Sequence, residues 1–118
     1  MARQVVWSPG AEADIAEIGS YLERVASPAV ATSVVTKIRA AAFKVVDFPY
    51  AFRMIPEFQD RERRETFVYQ YRVMYRVETD CVRILRVVHG RRLLQNVPGG
   101  FEEAPQEEYG AAGPARVR

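Results

Sequence analysis

The sequence predicts an α+β fold of order β-α-α-β-β-β, with a helical hairpin packed on one face of a mainly antiparallel sheet. Three observations predict it. From Arg63 to Arg92 the chain RRETFVYQYRVMYRVETDCVRILRVVHGRR falls into three consecutive runs, largely alternating, with the period of strands that have one covered face. Between residues 8 and 47, two Ser-Pro pairs each open a stretch whose apolar residues recur at helical spacing. One apolar stripe per helix then requires a sheet face to cover it.

Arg3 to Trp7 is short, apolar and β-branched, which suits an opening strand. Ser8 offers a hydroxyl to cap orphan N–H groups, and Pro9 stands where no N–H is needed. Ala11, Ile15, Ile18, Leu22 and Val25 form one stripe, giving a helix of roughly 17 residues. Glu12 and Asp14 suit the positive end of its dipole. Ser27–Pro28 repeats the start signal. Ala31, Val34, Val35, Ile38, Ala41, Ala42 and Val45 then keep helical spacing as far as Asp47, and Pro49 stops the helix. The two helices make an αα-hairpin.

Phe48 to Gln59 holds two prolines and four aromatics without a steady period, so it reads as a loop. Phe48, Tyr50 and Phe52 are expected to close the core. In the sheet, Tyr71, Val73, Tyr75 and Val77 share one parity and are expected inside. Arg72, Met74 and Arg76 take the other parity and are expected on a solvent face. In the last strand Ile84, Leu85, Val87 and Val88 break the alternation, so its parity stays open. A central strand covered on both sides accounts for the break.

With 118 residues the chain is one domain, residues 1–95, followed by a Pro/Gly-rich acidic tail, residues 96–118. That tail carries four of the seven glycines and three of the seven prolines, and is expected to be flexible or ordered by a partner. Phe101 and Tyr109 are its candidate anchors. A net charge of +2 is too small to argue for nucleic-acid binding, but its distribution is uneven. Residues 61–92 hold nine arginines against four acids, whereas residues 99–118 hold four glutamates against two arginines. A basic sheet beside an acidic tail points to an anionic partner for the sheet.

Cys81 is the single cysteine, which excludes an intrachain disulfide and a cysteine-based metal site. With one histidine, scattered carboxylates and no phosphate-cradling glycine loop, neither metal nor cofactor is expected. The sequence has no apolar run of about 18 residues and no signal-peptide pattern, so a cytoplasmic chain with no membrane partner is expected.

Five pieces stand in a telling order: VVWSPGAEADIAEIGSYL (residues 5–22), FP (48–49), RE (64–65), YRVMYRV (71–77) and VRILRVVHGRR (82–92). Together, over about residues 3 to 93, they resemble the ParE branch of the RelE/ParE toxin superfamily. The resemblance implies the toxin half of a bacterial toxin–antitoxin pair, which poisons DNA gyrase by trapping cleaved DNA complexes. It implies an inhibitory binding module and not a catalyst. It also implies a ParD-like, ribbon-helix-helix antitoxin whose C-terminal segment wraps the toxin. An edge strand with flanking helix surface would suit such a segment. Arg91 and Arg92, beyond the last strand, are expected on the target surface, joined by Arg72 and Arg76. The tail after Arg92 departs from the compact ending of the family.

The alternative is the RelE branch, ribosome-dependent cleavage of mRNA. That chemistry needs a base for the ribose 2′-hydroxyl, an acid for the leaving oxygen and cations for the phosphate. Its candidates are Arg72, Arg86 and His89, since histidine is the side chain that changes charge near neutral pH. Arg72 is close to where the ribonuclease branch places a phosphate-binding arginine. Against it, HGRR after ILRVV is what ParE-like members show without nuclease activity, and the lysine cluster of some nuclease members is missing. Structural roles compete as well. His89 can end a strand by bonding a turn. Arg86 is expected to be an internal ion-pair partner of Glu65 or Asp47. A third alternative is a degenerate member that binds antitoxin and harms nothing.

Overall fold

The computed structural model describes residues 3–90; Arg91, Arg92 and the 96–118 tail with Phe101 and Tyr109 lie outside the described residues. The elements are β1 (Gln4–Trp7), α1 (Pro9–Val25), α2 (Pro28–Asp47), β2 (Arg53–Met54), β3 (Arg63–Val68), β4 (Tyr71–Val77) and β5 (Cys81–His89). The sheet runs β1-β5-β4-β3-β2; β1 lies parallel to β5 and every other pair is antiparallel. This is the α+β architecture that the patterning predicts, with one addition. Arg53 and Met54, inside the stretch read as a loop, pair with Glu65 and Arg64 as a two-residue edge strand.

Both helix starts are capped as the Ser-Pro signals require. Ser27 Oγ accepts the Val30 N–H at 3.1 Å on the surface. Ser8 Oγ accepts the Ala11 N–H at 3.0 Å and donates to the Leu85 carbonyl at 2.8 Å, so this cap also ties α1 to β5. Ala11 and Ile15 of α1 and Ala31, Val34, Ile38, Ala42 and Val45 of α2 are buried. Val25, the last residue of α1, is exposed, so the apolar stripe ends at Leu22.

The main core packs these helical residues on Tyr71, Val73, Tyr75 and Val77 of β4 and on Val82, Ile84 and Val87 of β5. Tyr75, fully buried, donates its hydroxyl to the Pro49 carbonyl at 2.7 Å and so pins the chain where α2 ends. Tyr50 and Phe52 pack against the main core as expected, whereas Phe48 is 64% exposed.

The helix-free face is not the open surface that the alternation suggested. The segment after β2 lays Ile55 and Phe58 over Met74 and Val88, forming a second small core. Met74 is fully buried and Arg72 is 5% exposed, so of the row Arg72–Met74–Arg76 only Arg76 reaches solvent appreciably. The strand β5 is therefore covered on both sides. Its broken alternation has a further cause. Met74 pairs with Arg86 while Tyr75 pairs with Ile84, leaving Leu85 as the extra residue of a bulge. Parity shifts there, which puts Val87 in the main core and Val88 in the second.

If the Ser8 hydroxyl caps α1 and also holds β5, Ser8→Ala should cost about 2 kcal/mol, against about 1 kcal/mol or less for Ser27→Ala. Urea unfolding of the two variants checks this; equal losses would contradict the double role.

Candidate functional site: the arginines of the sheet

Each strand-borne arginine proposed from sequence has a carboxylate partner, and the partners divide them into separate sites. Arg86, 6% exposed, reaches α1, where Nε and Nη2 bond the two carboxylate oxygens of Asp14 at 2.7 and 2.8 Å. Asp14 Oδ2 also accepts the backbone N–H of Val87 at 2.8 Å. One buried carboxylate thus neutralises a buried guanidinium and satisfies an amide beside the bulge. The expected internal ion pair of Arg86 exists, but its partner is Asp14 and not Glu65 or Asp47. Glu65 lies two strands away from Arg86 and already serves Arg72 and Arg53.

Arg72 lies on the helix-free face. Nε donates to Glu65 at 2.7 Å, and Nη1 and Nη2 form a fork on Glu57 at 3.0 and 2.8 Å. Glu65 is 1% exposed and also accepts from Arg53 at 2.5 Å. Bonds from Arg72 hold the Glu57 carboxyl below its ordinary range, and Glu57 in turn holds Arg72 more firmly charged.

At the other end of β4, Arg76 and Arg83 share Glu78. Arg76 donates from Nε and Nη2 at 2.9 and 2.7 Å, and Arg83 from the same atoms at 3.0 and 3.2 Å. Burial acts to raise the Glu78 carboxyl, but the bonds from Arg83 and Arg76 outweigh it and hold the group at about 2. Burial and the neighbouring carboxylate push the Cys81 thiol up to about 12, so it stays protonated and unreactive at neutral pH. Arg3 adds a bond from Nε to the Glu78 carbonyl at 2.8 Å.

His89 ends β5, exposed, with its ring edge-on to Tyr71 at 6.1 Å between centroids. Arg72, Arg86 and His89 are therefore not brought together. Arg72 is buried on Glu57 and Glu65, and Arg86 is buried on Asp14 of α1. Arg72 and Arg76 share a face, as their parity predicts, but sit at opposite ends of β4 in different ion-pair networks. Among the described residues no group of three His, Cys, Asp or Glu side chains is placed to hold a metal ion.

With this geometry in place, likeness to known proteins is informative. Residues 5–94 match the family model for the ParE toxin of the type II toxin-antitoxin system, parDE. The chain belongs to the ParE toxin family. A solved chain of the chromosomal ParDE TA system from P. aeruginosa superposes with a TM-score of 0.65 at 18% identity. The match covers 75% of this chain and 96% of that one, and at this identity it speaks for the fold. No curated protein matches the sequence. As in other ParE toxins by family definition, the domain that carries these arginines is the toxin half of such a pair.

Sequence reasoning missed Asp14, Glu57 and Glu78 as ion-pair partners, and gave Glu65 to Arg86 where the structure gives it to Arg72. Asp14 had a visible signal, because it stands between Ala11 and Ile15 on the buried side of α1, where an unpaired carboxylate is costly. Glu57 had none, lying in an aperiodic loop. Two outcomes test the networks. Asp14→Ala should cost about 3–5 kcal/mol by stranding Arg86, and Asp14→Leu/Arg86→Leu should regain part of that loss while leaving the Val87 amide unsatisfied. Chemical denaturation decides it; a double variant as unstable as the single one would refute the pairing. The second concerns acid. Glu78 ionises lower in the fold than the 4.5 of an ordinary glutamate, so its contribution is present above 4.5 and fades as pH falls towards about 2. Glu78→Gln should flatten the stability–pH curve in that window, as read from melts at stepped pH.

Proposed function

We propose that this ParE-family toxin acts as a binding module that poisons DNA gyrase and is neutralised by a ParD-like, ribbon-helix-helix antitoxin. The observation that supports a binding module over a ribonuclease is that Arg72 and Arg86 are both buried and each is forked onto a carboxylate of its own, Glu57 and Asp14. Phosphate transfer chemistry needs converging cations and an acid–base pair around one reacting centre. Two buried guanidiniums committed to separate carboxylates leave no such centre between them.

An antitoxin surface is supported by apolar area left uncovered. Leu22, Val30, Val34, Tyr69 and Tyr71 line a groove between the helical hairpin and the β3–β4 turn, and Tyr21 and Val25 stand exposed on α1. An amphipathic segment laid there would cover the groove. For the target, the reading assigns Arg91 and Arg92 beyond β5, with Arg76 as the strand-borne contributor; Arg72 is held by Glu57 and Glu65 and positions the helix-free face.

Freshly released toxin should inhibit gyrase supercoiling and accumulate cleaved DNA while leaving mRNA intact in a translating extract. Arg91→Ala/Arg92→Ala should weaken the gyrase effect about tenfold, or ~1.4 kcal/mol, without lowering the melting temperature. Codon-phased mRNA cuts with gyrase untouched would overturn the reading.

A further inference from the structure

The register of the sheet sets three arginines side by side. Arg63 is the direct partner of Arg76 across β3–β4, and Arg76 is the direct partner of Arg83 across β4–β5. Paired residues share a face, and Tyr75, Val77, Val82 and Ile84 point to the helices, so all three arginines stand on the helix-free side. Neighbouring strands lie about 4.8 Å apart, so the row places three positive charges across about 10 Å. Like charges directly opposite one another destabilise a sheet.

Acidic side chains hold the row together. Asp60 takes Arg63, and Glu78 takes both Arg76 and Arg83 along their Nε/Nη2 edges. Arg63 further lies over the ring of Phe58 at 5.5 Å. Each guanidinium is thereby fixed in plane while its side chain remains partly open, at 22%, 33% and 30% exposure for Arg63, Arg76 and Arg83. Arg3 and the exposed Arg61 extend the positive character at this end of the sheet.

A line of evenly spaced, pre-oriented guanidiniums matches an anion that also repeats along a line. The guanidinium fork suits phosphate oxygens, and a phosphodiester strand presents one charge per ~3.4 Å. We infer that the Arg63–Arg76–Arg83 row is a contact site for a nucleic-acid backbone, independent of base sequence. The two carboxylates lower its net charge, so binding is weak and sensitive to salt. The site needs no gyrase, and it stands whether or not gyrase is the target.

The test is fluorescence anisotropy of the full chain with one labelled oligonucleotide prepared as duplex DNA, single-stranded DNA and RNA, between about 50 and 200 mM salt. Wild type should bind at least one form with affinity falling steeply with salt. Arg76→Gln/Arg83→Gln should lower the slope of log affinity against log salt by about 2. Arg76→Lys/Arg83→Lys should keep it, and Arg24→Gln/Lys37→Gln on the helices should leave it unchanged. Should the Gln pair fail to fold, Arg63→Gln alone should lower the slope by about 1. Which form binds best identifies the source of the backbone. A slope unmoved by the row variants, an equal drop in the helix variant, or displacement by polyglutamate more readily than by oligonucleotide would overturn the inference.

Discussion

The contact on which most of the structure depends is the fork between Asp14 and Arg86. Helix, sheet and bulge meet there through a single carboxylate. Asp14 comes from the second turn of α1, Arg86 from β5, and the Val87 amide from the residue next to it. A carboxylate this buried, 8% exposed, is tolerable only because three donors surround it. The donors are in place only if α1 crosses β5 at one height. Ser8 fixes the same height from the N-cap of α1, through its bond to the Leu85 carbonyl. Apolar packing alone would let a smooth helix slide along the sheet; these polar contacts specify the register.

The same logic runs through the other charges. The strands carry more arginine than a sheet of this size can leave unpaired, and each network supplies carboxylates from a different piece of chain. Asp14 lies on a helix, Glu57 in the segment over the second core, Glu65 on a neighbouring strand and Glu78 in the turn before β5. Glu57 and Ile55 arrive together. The loop that buries Ile55 and Phe58 on Met74 also delivers the carboxylate that makes burial of Arg72 acceptable. Removing either half would expose the other.

Much of this was legible in the sequence, and the unread part has a common cause. Two helices, their serine caps and the row Tyr71–Val73–Tyr75–Val77 follow from local rules, because periods and caps are written within a few residues. The family resemblance reached the toxin class over nearly the same span as the match at residues 5–94. What failed was non-local. Alternation said that Arg72, Met74 and Arg76 face away from the helices, which is true, and that this means solvent, which holds appreciably only for Arg76. Nothing in the residues 48–59 announces that their far half folds back as a lid on that face. Likewise a bulge is a property of two strands. The run ILRVV shows broken alternation, but only pairing with β4 reveals that Leu85 is the surplus residue.

The perturbed acids and bases show how the charges of this scaffold are fixed. A general acid or base works best with a pKa near the operating pH, so catalytic sites pull carboxyls up and thiols or phenols down. Here the perturbations run the other way. Glu78 is held at about 2 and Cys81 is pushed to about 12. Burial also raises Tyr75 and Tyr71, while hydrogen bonds from their arginine partners lower Glu12 and Glu57. Each of these groups is driven further from neutrality, which fixes its charge and makes it a permanent structural contact. Such a sheet offers a partner a rigid pattern of positive charge and apolar surface.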